Sequence, residues 1–352
     1  MNMHSRSAAG VLLMCAAIFG GSFFGTSGAQ ELDLELESTA HLLPDVGPGL
    51  RAIHHDAAGR FYVLSTPCTS ISVYGPDSKL LRKIPSNPTK ESSIVSAEDF
   101  DVDAAGRVLV ADRGANAIEI FDPAGRMQTS FQVTAPTSVA ATTSGEIAVT
   151  RMDSRRLVDM YDATGKLLRS FGKLENLADH PELNRSLNAG KLVADSASHL
   201  YFAFTFLPEP TVRRYDRFGN STLEISLVTL EFEPAAQAAR RQIWEQDQKP
   251  KPGTFRPVVN AIGVDEQTFD IWVAIDDELT HFDHDGGRVG ETYRTFTADG
   301  ERMAPTSMIV ESNRLILAAD PIGIYAFPRP DKAPGVAPAK PDDAPAAADK
   351  KP

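Results

Sequence analysis

The fold is decided by residues 102–126, which read VDAAGRVLVADRGANAIEIFDPAGR. Apolar runs alternate here with a glycine turn, a polar loop and a second glycine turn. Glycine supplies the positive φ that a tight hairpin needs, and aspartate hydrogen-bonds its own backbone at such a turn. Because the apolar runs are continuous, they predict short strands that are covered on both faces. The stretch therefore predicts one antiparallel sheet.

The same unit recurs along the chain. The first turn returns at residues 56–60 and 142–146, and in looser form at 195–199, 265–270 and 311–314. The second turn returns at residues 74–77, 161–165, 215–219 and 282–286, and Phe327 supplies a sixth aromatic residue of the series. One such sheet cannot cover both of its faces, whereas radial stacking of several sheets can. Six copies predict an all-β fold, a six-bladed β-propeller.

Residues 102–126 resemble an NHL-type repeat, and residues 31–327 as a whole resemble the extracytoplasmic six-bladed NHL-like propellers. The motif is clearest in the second blade and degenerate in the last three. That family includes binding scaffolds and, more distantly, lactonase-like hydrolases and amidating lyases. The resemblance therefore implies the fold and leaves the function open.

The N-terminal part of the propeller is predicted to close the ring. The sixth unit supplies three strands, at residues 308–310, 315–318 and 322–327. Residues 32–37 alternate apolar and acidic side chains, which predicts one half-buried strand. We expect this strand to pair as the outermost strand of the last blade, because closure removes two exposed sheet edges.

Residues 1–29 are typical of a secretory signal peptide. Arg6 precedes an apolar stretch at 8–24, and the small residues Ser27 and Ala29 suit cleavage before Gln30. A transmembrane anchor is the alternative, but the apolar run is short and interrupted by glycines. We expect a periplasmic or secreted protein without a membrane span after cleavage.

The mature chain is expected to consist of a propeller, residues 30–327, and a disordered Pro/Ala-rich tail, residues 328–352. The full sequence has 47 Asp and Glu against 35 Lys and Arg, a net charge of −12. This excess of acid argues against a nucleic-acid partner. Cleavage would remove Cys15, so Cys68 would be a lone thiol, which we interpret as a packing residue.

Two insertions interrupt the compact repeat, at residues 172–187 and about 231–257. In the second, Glu233 and Pro234 predict the start of a helix, and Lys249-Pro250 its end, which gives one helical insertion between blades four and five. In a propeller the connections between blades lie on one face and the tight glycine turns on the other. Long loops on a rigid scaffold are where binding usually occurs. The insertion-bearing face is therefore the predicted binding face.

The positions that open the innermost strands define the predicted site. Aligned on the glycine turns they are Arg51, Glu98, Thr137, Gly190, Asn260 and Thr306, with Asp99 and Lys191 adjacent. We predict that a ligand binds near Arg51, Glu98, Lys191 and Asn260, with Trp244 contributed by the helical insertion. Whether that ligand is a protein or a small molecule stays open.

A metal-dependent hydrolase is the alternative function. The resemblance to lactonase-like propellers would place a divalent cation such as Ca²⁺ on Glu98, Asp99 and Asn260, because hard cations prefer oxygen ligands. Arg51 and Lys191 would bring competing positive charge into the same ring. The sequence contains no recognised histidine spacing for zinc, and no nucleophile elbow, P-loop or dinucleotide fingerprint. It therefore favours a binding module without a cofactor over an enzyme.

Overall fold

The structure, a computed structural model, describes residues 34–89, 92–249, 251 and 253–332. The predicted signal peptide and most of the predicted tail lie outside these residues. Ordered backbone continues through Lys332, five residues beyond the predicted end of the propeller, because Arg329 is buried and a short 3₁₀ turn, Pro330–Lys332, follows it.

The described strands form six sheets, each the blade of a propeller. Two short strands come first, β1 (Leu34–Glu37) and β2 (Ala40–Leu42). Blade one contains β3 (Leu50–His55), β4 (Phe61–Ser65), β5 (Ile71–Tyr74) and β6 (Leu80–Ile84). Blade two contains β7 (Ala97–Val102), β8 (Val108–Asp112), β9 (Ala117–Phe121) and β10 (Met127–Gln132). Blade three contains β11 (Pro136–Ala141), β12 (Ile147–Arg151), β13 (Val158–Tyr161) and β14 (Leu167–Phe171).

The remaining blades follow the same order. Blade four contains β15 (Gly190–Ala194), β16 (Leu200–Phe204), β17 (Thr211–Tyr215) and β18 (Ser221–Ser226). Blade five contains β19 (Ala261–Val264), β20 (Ile271–Ile275), β21 (Glu278–Phe282) and β22 (Tyr293–Phe296). Blade six contains β23 (Ser307–Val310), β24 (Arg314–Ala319) and β25 (Gly323–Pro328).

The blades form a closed ring. The first strand of each blade contacts the first strand of the next, and β23 contacts β3. The hydrophobic core lies between the sheets: Tyr62 and Phe100 are buried between blades one and two, and Trp272 and Phe327 between blades five and six. Cys68 is buried in the first of these clusters, as a packing residue would be. The six-bladed propeller predicted from the repeat is confirmed.

The tight turns are held by aspartates. Asp103 Oδ1 accepts hydrogen bonds from the backbone N–H of Ala105 at 3.0 Å and of Arg107 at 2.8 Å, and Arg107 Nε donates to Oδ2 at 2.6 Å. Gly106 has a φ of +74°, which a residue with a Cβ adopts only with strain. The same pair of backbone bonds is made by Asp56, Asp122, Asp162, Asp195, Asp216 and Asp283. The repeated aspartate therefore specifies the hairpins.

The N-terminal segment closes the ring, although not with the predicted strand. β1 pairs in parallel with β22 as a fifth strand of blade five, and β2 pairs antiparallel with β25 as the outermost strand of blade six. Placing residues 32–37 in the last blade was therefore wrong, since Ala40–Leu42 takes that position. The reason is Leu36, which is 6% exposed and belongs to the buried cluster between the two blades that includes Trp272. The adjacent Leu34 is 41% exposed.

Each insertion contains a helix. α1 (Pro181–Leu187) lies between β14 and β15, where no helix was predicted, and α2 (Glu233–Asp247) lies between β18 and β19 as predicted, with Pro234 in its first turn. Because successive strands of a blade are antiparallel, both insertions lie on one face, here called the loop face. The glycine turns lie on the opposite, turn face. Among the described residues, no helix has the length and apolar character needed to cross a bilayer.

Candidate functional site

The central channel contains a small polar cavity. Its volume is about 180 Å³, and it is lined by the first strands of blades one, two, four, five and six. The ionisable residues on its wall are His54, His55, Asp99, Asp101, Lys191 and Glu266. The volume has room for a few waters but is smaller than the sites that usually bind drug-sized molecules.

β-Bulges decide which residues face this channel. In blades one to three, Arg51, Glu98 and Thr137 each lie where the register of the first strand shifts against the second. An extra residue in one strand bends that strand and re-aims its side chains. In blade two it is Asp99, the residue after Glu98, that lines the cavity.

Hydrogen bonds link the innermost strands around the channel. His54 Nδ1 of blade one lies 3.2 Å from Asp101 Oδ1 of blade two. The Ser138 hydroxyl of blade three donates to the Asp99 carboxylate of blade two, and Ser138 Oγ accepts the Leu192 N–H of blade four at 3.1 Å. Polar contacts therefore connect four consecutive blades at the axis of the ring.

Lys191 spans the channel. Lys191 lies in blade four, yet its Nζ donates a hydrogen bond to the carbonyl oxygen of Thr306 at the entrance to blade six. Burial lowers the pKa of Lys191, and the charge of Arg51 adds to this effect while Asp99 opposes it. Burial raises the pKa of Asp99, against the opposing charges of His54 and Lys191. Burial thus moves the lysine and the aspartate towards their neutral forms.

The His54–Asp101 pair behaves differently. Burial lowers the pKa of His54, but the hydrogen bond and charge of Asp101 outweigh burial, so the net pKa is raised. Burial raises the pKa of Asp101, but the hydrogen bond and charge of His54 outweigh it, so the net pKa is lowered. Both shifts favour the imidazolium–carboxylate ion pair, which fastens blade one to blade two.

Among the residues predicted from sequence for the mouth, Lys191 and Asp99 line the channel cavity. Glu98 is instead ion-paired with Arg113, with Oε1 and Nη1 3.0 Å apart. Arg51 is exposed and close enough to Lys191 to influence its pKa. Asp99 thus lies close to the charge of Lys191, while Glu98 is held by Arg113; the predicted cation on Glu98, Asp99 and Asn260 stays a prediction.

A larger cleft lies on the loop face beneath α2. Its volume is about 610 Å³, within the usual range of small-molecule sites. One wall is the helix, where Ala235, Ala238 and Ala239 recur at the three- and four-residue spacing that places side chains on one side. The opposite wall is residues 275–278, the turn between β20 and β21. Small helical side chains leave the space between helix and blade unfilled.

The segment that leads into blade five forms a third side of the cleft. It comprises residues 256–258, two positions before the predicted site residue Asn260. The backbone N–H of Asn260 donates to the carbonyl oxygen of Ala274 at 2.9 Å, which fixes this segment to β20. Asn260 itself does not line the cleft, and its predicted role in ligand binding stays a prediction.

Ion pairs surround the opening of the cleft. Arg256 Nη2 lies 2.6 Å from Asp276 Oδ2, and Arg302 Nε donates to Asp277 Oδ2 at 2.7 Å. The side chains of Arg256 and Asp276 are 74% and 56% exposed. Exposed ion pairs contribute only about 0–1 kcal/mol to stability. Arg256 and Asp276 can therefore give up their contact with each other and bind groups of a ligand at little cost.

Trp244 lies on the other side of α2. It is 67% exposed and lines a separate pocket of about 360 Å³ with Leu177 of the first insertion. Asp247 joins the two insertions, because it accepts the backbone N–H of Asp179 at 2.9 Å and lies 2.7 Å from His180 Nδ1. The helix thus separates Trp244 from the cleft.

Sequence reasoning did not identify the cleft residues Ala238 and Arg256. The helix itself was predicted, and its three alanines at helical spacing were a visible signal of an unusually small face. No sequence pattern shows that the alanine side of the helix lies opposite the turn at residues 275–278.

Comparison with known proteins supports the fold. No known protein-family profile matches the chain. An alignment 146 positions long, which covers 37% of this chain, shows 26% identity to Protein brain tumor of Drosophila melanogaster, an NHL-repeat protein. The match spans only 14% of that protein's length.

Several solved structures share the architecture at low sequence identity. Virginiamycin B lyase from Staphylococcus aureus has a TM-score of 0.50 at 15% identity, covering 83% of this chain and 87% of the lyase. A protein of unknown function from Bacteroides thetaiotaomicron has a TM-score of 0.55 at 11% identity, covering 84% and 75%. The RRP9 WD40 repeats have a TM-score of 0.52 at 11% identity, covering 84% and 99%. At these identities the likeness concerns the fold alone.

A closed ring of six sheets with a polar channel and long loops on one face defines this chain as a β-propeller. Its repeated aspartate–glycine turns, together with the partial match to Protein brain tumor, make this six-bladed propeller similar to NHL-repeat proteins.

Proposed function

We propose that the chain is a binding module that holds a small organic ligand in the cleft beneath α2. One observation carries this proposal: a cleft of about 610 Å³ with an alanine-covered wall opens on the loop face. The channel cavity is smaller and is crossed by Lys191. The cleft is therefore a better candidate for the ligand-binding site than the channel cavity.

The lining indicates what such a ligand would contain. Ala235, Ala238 and Ile275 offer an apolar surface for a hydrophobic body. Arg256 and Asp276, exposed at the opening, offer one guanidinium and one carboxylate for polar groups of the ligand. A few polar contacts around an apolar body are typical of small-molecule recognition.

A substitution within α2 tests the proposal. Ala238→Trp fills the cleft, whereas Arg241→Trp places the same side chain at an exposed position of the same helix that does not line the cleft. A panel of amphipathic small molecules is screened by ligand-observed NMR against the wild type and both variants. We expect compounds that bind the wild type and Arg241→Trp but not Ala238→Trp. Binding that survives Ala238→Trp, or a panel without any ligand, contradicts the proposal.

The proposed location of this module is the periplasm or the exterior of the cell. The support is the sequence of residues 1–29, with small residues at Ser27 and Ala29 before Gln30. N-terminal sequencing of the protein recovered from periplasmic and medium fractions should find Gln30 as the first residue. An intact N-terminus in the cytoplasmic fraction would contradict it.

A further inference from the structure

Three potential metal ligands from blades five and six converge on the turn face. They are Asp270, which precedes β20; His281 in β21; and Asp331, in the 3₁₀ turn after β25. One donor atom from each lies within 4.8 Å of the other two. Two ligands thus belong to blade five, and the third follows the last strand of blade six.

Arg329 positions the third ligand. Its guanidinium is buried and donates to both carboxylate oxygens of Asp331, at 3.0 Å from Nε and 2.6 Å from Nη2. Arg329 Nη1 also donates to Asp265 and, at 3.0 Å, to the carbonyl oxygen of Glu311. The carboxylate of Asp331 is therefore held in one place beside His281.

The geometry points to a divalent metal ion, and we propose that Asp270, His281 and Asp331 bind Zn²⁺ at this seam between blades five and six. His281 Nε2 lies 3.3 Å from Asp270 Oδ2. Zn–N and Zn–O distances of about 2.0–2.2 Å put neighbouring ligands of a tetrahedron about 3.3–3.6 Å apart. By contrast, 3.3 Å is long for a hydrogen bond between imidazole and carboxylate.

The local charge also fits a cation. The buried Arg329 is ion-paired with Asp265 and Asp331, and the half-exposed Lys332 Nζ lies 3.8 Å from Asp331, so these two cations face three aspartates once Asp270 is included. Negative charge therefore remains in excess around the cluster. Carboxylate and neutral imidazole are ordinary zinc ligands.

His281 is suited to donate a lone pair. Its side chain is 3% exposed and its ring stacks on Trp272, with centroids 4.2 Å apart, so the imidazole has one fixed orientation. Three protein ligands leave the fourth position of a tetrahedral ion to water.

Such an ion would fasten the end of blade six to blade five. The full mature chain, stripped of metal with EDTA and then dialysed, is titrated with Zn²⁺ by calorimetry, and its thermal midpoint is recorded with and without the ion. We expect one equivalent to bind and the midpoint to rise, because a ligand that binds only the folded state stabilises it. Co²⁺ in place of Zn²⁺ reports the coordination geometry by its visible spectrum.

Three variants locate the site. Asp331→Asn keeps the shape of a half-buried side chain, and His281→Gln removes the imidazole; each should weaken Zn²⁺ binding by about 100-fold or more. His180→Gln is the matched control, because His180 also contacts an aspartate but is exposed on the loop face. It should bind Zn²⁺ as the wild type does. Circular dichroism checks that each variant is folded.

The proposal is overturned if the folded wild type binds no Zn²⁺ at micromolar concentration. It is equally overturned if folded Asp331→Asn binds Zn²⁺ as tightly as the wild type, or if His180→Gln abolishes binding.

Discussion

Lys191 of blade four donates a hydrogen bond to the carbonyl oxygen of Thr306 at the entrance to blade six, so one side chain joins two blades that are not neighbours. Each innermost strand also contacts the innermost strand of the next blade around the ring. The contact lies in the polar cavity that also holds Asp99, and it restricts the channel at the axis.

Replacing this lysine should destabilise the ring. Lys191→Met keeps the length of the side chain, but it removes the hydrogen bond to the Thr306 carbonyl and one of the two positive charges near Asp99. We expect a loss of about 1–3 kcal/mol in the free energy of unfolding, measured with urea at pH 7. Lys83→Met, at an exposed position of β6, should change it by no more than about 0.5 kcal/mol. Equal effects of the two substitutions would contradict a role for the channel contact.

Glu119 predicts a pH dependence of stability. It is 4% exposed, its Oε2 has no hydrogen-bond partner among the described residues, and burial, with a contribution from Asp112, raises its pKa to about 7. Between its usual value of 4.5 and about 7, the folded chain retains a proton that the unfolded chain releases. Stability should therefore fall as pH rises through this window.

Glu119→Gln should remove that dependence. The variant should be more stable than the wild type by about 1–3 kcal/mol at pH 8, and much closer to it at pH 5. Urea unfolding at the two pH values provides the measurement, with the exposed Glu245→Gln as a control that should show no such change. A difference that is the same at both pH values would rule out titration of Glu119 as its cause.

The turn aspartates should act mainly through backbone bonds. Asp103→Ala removes the acceptor of two backbone N–H groups together with the ion pair to Arg107, and should cost about 1–3 kcal/mol. Asp103→Asn keeps an oxygen acceptor and loses only the ion pair, so its cost should be below about 1 kcal/mol. Chemical denaturation of both variants decides this. If asparagine costs as much as alanine, the ion pair is the dominant contribution.

Stepwise truncation should separate the roles of the two N-terminal strands. A chain that starts at Ser38 lacks β1 but keeps β2, so blade six retains its outermost strand. It should fold with a lowered thermal midpoint. A chain that starts at Pro44 lacks both strands and should lose considerably more stability, because β25 becomes an open edge. The thermal midpoints are measured by calorimetry against a chain that starts at Gln30. Similar midpoints for the two truncated chains would refute the separate roles of β1 and β2.

The blade number was predictable because its signal is local. An aspartate and a glycine within five residues specify several of the hairpins, as Asp103 and Gly106 do, and the number of repeats gives the number of sheets. The start of α2 was predictable for the same reason, since Pro234 acts within its own turn.

What escaped prediction depends on contacts between distant segments. The strand that closes blade six was decided by where Leu36 packs, and the channel wall by bulges at Arg51 and Glu98 that have no sequence signature. The cleft exists because α2 is placed against residues 275–278, which helical periodicity cannot reveal. Asp331 lies near His281 because the ring places blade six beside blade five, and the sequence alone does not show this proximity.

Residues 34–42 run as one extended segment along the edge of blade five and then of blade six. Tension applied to the chain ahead of Leu34 would first load β1 on blade five and then β2 on blade six. The N-terminal segment thus connects blades five and six at the point where the ring closes. The force needed to detach it would set the force at which the propeller opens.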